Sequence, residues 1–184
     1  MIVIEIIAVL FSLLSVYFTI KEDSICWPIG IVGILAYAII FKFHHDWANL
    51  VLQFAFLVQS FIAWKNWHKP KEDIKITQLS NDNIANTIVN IFSTFLLTLS
   101  MSVLFGGHDL LLDSLSAALS IFGMYLLSSK KIEAWYCWIL ADIVFIFLFY
   151  KHQLYLSCGL YFIFLLMAIS GLIRWKKQFK NDKL

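Results

Sequence analysis

Long apolar stretches follow one another along almost the whole chain, and they restrict the fold more than any other feature of the sequence. Hydrophobic side chains make up 61% of the 184 residues and charged ones 14%, whereas a soluble globular domain has about 45–50% and about 25%. A soluble core of this size has no room for helices that are apolar on every side. Because a spanning helix needs roughly 20 apolar residues, the bilayer is the solvent that suits these stretches. We therefore expect an all-α membrane protein.

Seven such stretches predict seven transmembrane helices. They cover approximately residues 2–20, 25–41, 47–64, 84–105, 110–128, 132–150 and 153–174. The second and third are separated only by the short run from His44 to Asp46. The first stretch is expected to stay in the mature protein, because no basic region precedes it, Glu5 lies inside it and no small-x-small cleavage site follows.

The basic residues alternate between the two sides of this arrangement. The loops after the first, third and fifth helices and the tail contain 12 of the 14 lysines and arginines, and only Lys42 and Lys151 lie on the other side. The positive-inside rule then places the amino terminus outside and the carboxyl terminus in the cytoplasm, which requires an odd number of spans. The net charge of +2 therefore reflects topology, and no nucleic-acid partner is expected.

Neither a metal site nor a catalytic constellation is indicated. Cys26, Cys137 and Cys158 lie in or beside apolar stretches without the spacing of metal ligands or of a disulfide framework. The five histidines fall in predicted loops or at helix ends, where none is paired with a nucleophile. We expect no enzyme activity, no cofactor and no metal.

The first and last thirds of the chain resemble each other at a fixed offset. Shifting the sequence by 108 positions gives eleven identities between 12–67 and 120–175. The rarer residues among them are Trp27 with Trp135, His44 with His152 and Trp67 with Trp175. An apolar alphabet inflates chance matches, but rare residues kept in register without a gap indicate an internal repeat.

This repeat predicts two three-helix units of the same orientation joined by one helix, a 3+1+3 arrangement. The expected boundaries are a first repeat at 1–68, a cytoplasmic loop at 69–83, a linker helix at 84–105, a second repeat at 106–175 and a cytoplasmic tail at 176–184. Parallel repeats related by an axis along the membrane normal occur in the SWEET transporters, and substrate sites lie near the midplane between repeats. Transport is the function that this organisation favours.

Polar side chains inside predicted spans are the candidates for holding a substrate, because such groups are costly in lipid and usually face a cavity. The candidates are Gln53, Gln59 and Ser60 on the third helix, Asp142 on the sixth and Ser170 on the seventh. Glu5 and Asp113 are closer to helix ends. The alternative for the glutamines and serines is interhelical packing, and for Asp142 it is pairing with another helix.

Two tryptophans share a helical stripe with the acidic candidate. Trp135, Trp138 and Asp142 fall at i, i+3 and i+7, so two indoles and a carboxylate would meet a flat cationic ring, across the repeat interface from Gln53 and Gln59. Each indole would add roughly 0.5–2 kcal/mol of cation–π attraction. Alternatively, these tryptophans belong to the interfacial aromatic belt. For Trp27, Trp64, Trp67 and Trp175, interface anchoring is the expected role.

These motifs resemble the PnuC family of vitamin transporters over essentially the whole chain. Gln53 followed by Ser60, Trp64 and Trp67 looks like the family's Q-x(6)-N-x-Y-G-W-x-x-W, and Trp135, Trp138 and Asp142 look like its W-x-x-W-x-x-x-N. Tyr155, Tyr161 and the run from Gly171 to Trp175 also fit. The resemblance implies a seven-helix, often trimeric facilitator for nicotinamide riboside, whose uptake is drawn inward by an intracellular kinase that phosphorylates it. It also adds Tyr161 to the candidate substrate contacts.

The sequence departs from the family pattern at its amides. Ser60 stands where the family has asparagine on the third helix, Asp142 where it has asparagine on the sixth, and Ser170 where it often has asparagine on the seventh. A site poorer in amides and richer in tryptophan and carboxylate also suits thiamine, a flat heteroaromatic cation with few hydroxyls, so thiamine is the alternative substrate. A structural membrane protein that transports nothing is the alternative class.

Overall fold

A computed structural model of the chain describes residues 2–45, 47–68, 74–80, 84–105 and 109–182. Parts of four predicted segments lie outside the described residues, namely residue 1 of the first repeat, residues 69–73 and 81–83 of the cytoplasmic loop, residues 106–108 of the second repeat and residues 183–184 of the tail. Asp46, in the turn expected between the second and third helices, also lies outside them.

Seven α-helices account for most of the described chain. They are α1 (Ile2–Ile20), α2 (Cys26–Phe43), α3 (Trp47–Trp67), α4 (Ile84–Phe105), α5 (Leu110–Ser128), α6 (Glu133–Lys151) and α7 (Tyr155–Asn181). Three of the seven predicted ranges are reproduced to the residue. The largest difference is at α7, which the apolar pattern ended at residue 174 and which continues to Asn181, because charged side chains end an apolar run without ending a helix.

Six helices are long and apolar enough to cross a membrane within the described residues. The remaining one, α3, has 21 residues and enough length. Gln53, Gln59 and Ser60 lie along it. This helix therefore contributes three of the candidate substrate residues.

The helices group into two compact units, Met1–Lys75 and Ile76–Leu184. In the first unit α1 packs on α2 and α2 on α3, and in the second α4 packs on α5, α5 on α6 and α6 on α7. The helix predicted to link the repeats, α4, thus belongs to the second unit. Hydroxyls connect it to α5: the Thr98 Oγ1 donates to the Ser114 carbonyl oxygen at 2.9 Å, and the Ser114 Oγ to the Ser102 Oγ at 3.2 Å.

A short extended segment before α4 is fastened to the second unit. The Thr77 N–H donates to the Lys130 carbonyl at 3.1 Å, and the Ile132 N–H donates to the Thr77 carbonyl at 3.0 Å, an isolated parallel bridge. Ile76 beside it is 3% exposed. The segment therefore holds the α5–α6 turn through backbone hydrogen bonds as well as through burial.

Turns in the two units repeat each other at the offset found in the sequence. Glu22 and Lys130 have φ of 58° and 50°, and His45 and Gln153 have φ of 57° and 59°; each pair is separated by 108 residues (130 − 22 and 153 − 45). Non-glycine residues rarely adopt positive φ. Their occurrence at equivalent positions shows that the α1–α2 turn has the same local geometry as the α5–α6 turn, and the α2–α3 turn the same as the α6–α7 turn.

Tryptophan contacts repeat at the same offset. Trp27 meets Trp67 edge to face, with ring centroids 5.2 Å apart and planes at 89°. Trp135 meets Trp175 with centroids 5.3 Å apart and planes at 90°. All four indoles are at most 6% exposed, so the expectation that Trp27, Trp67 and Trp175 are interface anchors was wrong. Each pair joins the two helices of a hairpin, α2 and α3 in the first unit and α6 and α7 in the second. Edge-to-face aromatic packing stabilises this contact.

Candidate functional site

The candidate residues on α6 are positioned by glycines on its two neighbours. A Cβ at Gly171 of α7 would come within 2.5 Å of a ring carbon of Trp135, and a Cβ at Gly123 of α5 would come within 3.3 Å of the Trp138 Nε1. Trp135 therefore faces α7 and Trp138 faces α5. Asp142 lies seven positions after Trp135 and four positions after Trp138. Helical periodicity therefore places Asp142 between the direction of α7 and the direction of α5.

Asp142 is a buried carboxyl group. It is 4% exposed, and among the described residues it has neither a hydrogen-bond donor nor an ion-pair partner. Leaving a buried carboxylate without a partner is unfavourable by several kcal/mol or more. Such a group is rarely retained for packing alone, so Asp142 is the strongest indication of a ligand in the second unit.

Trp135 and Trp138 have different surroundings. Trp135 is 2% exposed and is enclosed by Gly171 and Trp175, whereas Trp138 is half-buried. The equivalent positions in the first unit are Trp27, which makes the same contact as Trp135, and Gly30. The contact that Trp135 makes thus has an equivalent in the first unit, whereas the indole of Trp138 has none, because glycine stands at its equivalent position in α2.

Tyr161 of α7 lies in an aromatic cluster next to this stripe. Its ring centroid is 4.5 Å from that of Phe145 and 5.1 Å from that of Phe149, and the two phenylalanines stack at 5.9 Å. Sequence reasoning missed Phe145 and Phe149. The repeat could have found them, because their equivalents Tyr37 and Phe41 stack at 6.0 Å in the first unit.

The candidates on α3 lie in the first unit. Ser60 is 1% exposed, Gln53 and Gln59 are half-buried, and the Gln59 Oε1 is buried with no donor among the described residues. Gln53 is the repeat equivalent of Tyr161. That these residues and those of α6 line one cavity stays a prediction.

The remaining polar candidates lie elsewhere. Ser170 is exposed on α7. Glu5 lies in the first turn of α1 and Asp113 in the first turn of α5, at equivalent positions of the repeat. The Asp113 carboxylate accepts a hydrogen bond from the Asp109 N–H at 3.1 Å, as acidic groups near helix N-termini commonly do.

An ionic contact joins α5 and α6 at the end of this helix pair that is remote from the α5–α6 turn. The Asp109 carboxylate accepts hydrogen bonds from Lys151 and from the His152 Nε2, the latter at 2.6 Å. The hydrogen bond from Lys151, followed by that from His152, lowers the pKa of Asp109. The contact joins the beginning of α5 to the end of α6, on the opposite side of the unit from the Thr77 bridge.

A bundle of long apolar helices with a buried carboxyl group in the middle of one of them is typical of membrane proteins that handle polar solutes, because such groups are costly in lipid and usually face a pathway. The chain matches the model of the nicotinamide mononucleotide transporter family over residues 2–177, and it belongs to that family. A crystal structure of the vitamin B3 transporter PnuC is similar, with a TM-score of 0.79 and 18% identity over 95% of this chain and 81% of that one. The chain is therefore a multi-pass transporter of the PnuC fold and not an enzyme.

Proposed function

We propose that the chain is a facilitator that takes up a flat, cationic vitamin across the inner membrane, and that nicotinamide riboside is its substrate. The supporting observation is the buried Asp142 without a partner, one helical turn from the half-buried Trp138. A cationic ring at this position would receive charge compensation from Asp142 and an aromatic face from Trp138. A cytoplasmic kinase that phosphorylates the vitamin would trap it inside.

The charge of the helices favours the nucleoside over its phosphorylated form. Nicotinamide mononucleotide carries a phosphate, which proteins usually hold with arginine or lysine. In the described helices basic residues occur only toward the ends, such as Lys42, Lys65 and Lys151. A carboxyl group in the middle of α6 would repel a phosphate and attract the riboside.

Thiamine is the alternative substrate. Asp142 and Trp138 suit its cationic ring as well, and the candidate set contains serines at Ser60 and Ser170 where the family pattern has ribose-binding amides. A site that offers few amides favours a ligand with few hydroxyls. The two vitamins are therefore to be compared in the same assay.

We also propose the 3+1+3 architecture, with α1–α3 and α5–α7 as parallel repeats joined by α4. The equivalent turns and the equivalent tryptophan pairs support it. Seven membrane spans, an outer amino terminus and a homotrimer belong to the same proposal. In the first unit the equivalents of Trp138 and Asp142 are Gly30 and Ile34, so the duplicated scaffold differs in the two residues to which we assign the ligand.

Binding to purified variants tests the site. We expect Asp142→Asn to weaken binding of a cationic vitamin about tenfold or more, which corresponds to about 1.4 kcal/mol. Trp138→Ala should weaken it about 2- to 30-fold through lost cation–π attraction. Trp135→Ala is expected to act through stability, because its indole is enclosed. The measurement is calorimetric titration with nicotinamide riboside and with thiamine.

Matched controls separate the site from general damage. Asp182→Asn removes an exposed carboxylate, and Trp47→Ala truncates an indole that is 47% exposed; neither should change affinity. Wild-type affinity and transport in both Asp142→Asn and Trp138→Ala would remove these residues from the site. If Asp142→Asn improves nicotinamide riboside binding, thiamine becomes the preferred substrate. Failure of either vitamin to bind the wild type would favour a structural role.

A further inference from the structure

The exposed side of α3 carries an apolar stripe that ends in two basic side chains. The apolar stripe consists of Phe54, Val58 and Phe61, which are 67%, 45% and 51% exposed. Lys65 and His68 follow it and are exposed as well. These five residues recur every three or four positions, so they lie on one face of the helix. This face therefore changes from apolar to basic within a single helical turn.

A groove lies at the point where the stripe becomes basic. It has a volume of about 280 Å³ and is lined by Phe61, Trp64, Lys65 and His68. The Trp64 ring is close to both of the other rings, with its centroid 6.5 Å from that of Phe61 and 5.7 Å from that of His68. The lining thus combines three rings with one ammonium group, and it contains no acidic side chain.

The two basic groups of the groove are available to a ligand. The His68 Nδ1 lies 3.0 Å from the Trp64 carbonyl oxygen. Because a carbonyl oxygen only accepts, Nδ1 carries the hydrogen and Nε2 remains for a second partner. Neither Lys65 nor His68 forms an ion pair within the described part of the chain. An ammonium and an imidazole three positions apart suit a phosphate group, whose oxygens accept charge-assisted hydrogen bonds.

The position of the groove along the helix suits the headgroup region of a bilayer. Lys65 is in the last turn of α3, at the end that the distribution of lysine and arginine places in the cytoplasm. Trp64 is half-buried, and tryptophan is enriched at the membrane–water interface. The cytoplasmic leaflet has a negative surface potential, which attracts basic residues next to a span.

The second unit has no equivalent groove lining. Ile173 stands at the position that corresponds to Lys65, and Lys176 at the one that corresponds to His68. The Lys176 ammonium lies over the Tyr136 ring, 5.2 Å from its centroid, so it already has an aromatic partner. The combination of a basic pair and a groove is therefore specific to α3.

We propose that this groove binds an anionic phospholipid of the cytoplasmic leaflet, with the phosphate at Lys65 and His68 and one acyl chain along the apolar stripe. The bound lipid stabilises α3 from its exposed side. The inference goes beyond the proposed function, of which it uses only the seven spans and the orientation. It holds for any vitamin that the chain transports.

Lipid titrations of the purified protein in an uncharged detergent test the site. Dioleoylphosphatidylglycerol should raise the melting temperature in a saturable way, because a ligand that binds only the folded protein stabilises it. Dioleoylphosphatidylcholine, with the same chains and no net charge, should raise it less. Lys65→Gln should weaken the apparent affinity for the anionic lipid about fivefold, which corresponds to about 1 kcal/mol. Phe61→Ala should weaken the binding of both lipids.

Two controls separate the groove from diffuse attraction and from a free anion. Lys177→Gln removes an exposed lysine on the same predicted side of the membrane and leaves the groove intact, so it should keep the wild-type affinity for the anionic lipid. Inorganic phosphate at the concentrations used for the lipid should leave the melting temperature unchanged, because it has no chain to place on the stripe.

The outcomes that would overturn the lipid site are distinct. Equal effects of the two lipids would show that the headgroup charge plays no part. Equal losses in Lys65→Gln and Lys177→Gln would assign the attraction to the whole basic side, and a full effect of inorganic phosphate would make the groove a site for a free anion. Calorimetry with the vitamin keeps the proposed function apart, because Lys65→Gln should bind the vitamin as the wild type does.

Discussion

In the α1–α2 pair and in the α5–α6 pair, one glycine faces a larger side chain on the neighbouring helix. The glycine lies on the second helix of the first pair and on the first helix of the second pair. In the first unit Gly30 of α2 meets the Ser15 side chain of α1, and the Ser15 Oγ donates to the Cys26 carbonyl at 2.9 Å. In the second unit the equivalent residues are Trp138 and Gly123. The glycine of α5 thus makes room for the Trp138 indole, as Gly30 of α2 makes room for the Ser15 side chain.

Gly171→Ala should destabilise the protein measurably. The added Cβ would lie within 2.5–2.6 Å of three carbons of the Trp135 ring, and overpacking of this kind typically costs about 1–3 kcal/mol. We expect a lower melting temperature in detergent. Gly159→Ala is the control on the same helix, because nothing lies within 4 Å of its added Cβ. Equal melting temperatures for the two variants would contradict the packing described for Trp135.

The helices themselves were predicted well from the sequence, and their contacts were not. Apolar runs of about 20 residues locate spanning helices because lipid demands them, which is why α1, α4 and α5 begin and end as expected. The burial of Trp175 and the enclosure of Trp135 depend on a contact between two helices. Linear spacing gives the direction of a side chain, but not the neighbour that it meets.

Asp109 is expected to stabilise the α5–α6 pair in a pH-dependent way. Its pKa is lowered in the folded protein by Lys151 and His152. The stabilisation is therefore fully present above the ordinary carboxyl pKa of 3.8, and it is lost as the pH falls through the lower folded value. Asp109→Asn should lower the melting temperature near pH 7, and its difference from the wild type should shrink in strongly acidic buffer.

Salt and a second carboxylate provide the controls for this element. Because the contact is partly exposed, high ionic strength should reduce the effect of Asp109→Asn at neutral pH. Asp182→Asn, at the exposed end of α7, should leave the melting temperature unchanged. A difference between Asp109→Asn and the wild type that is constant from neutral to strongly acidic pH would show that the carboxylate charge is not involved.

At the scale of the whole molecule, the repeat predicts a rotation about the membrane normal that superimposes α1–α3 on α5–α7. The offset of 108 residues places Trp27 on Trp135 and Trp67 on Trp175, and each unit contains the same edge-to-face pair. An experimental structure in lipid measures the axis. An axis in the membrane plane, or unrelated positions of Trp27 and Trp135 in the two bundles, would contradict parallel repeats.

The distribution of lysine and arginine predicts the orientation of the chain, with the α6–α7 turn outside and the end of α7 in the cytoplasm. Leu154→Cys, at a position 51% exposed, should react with a membrane-impermeant maleimide in intact cells. Asn181→Cys, at the exposed end of α7, should react only after permeabilisation. The parent protein is the control for its own cysteines, of which Cys26 and Cys137 are buried. Labelling of Asn181→Cys from outside would contradict the predicted orientation.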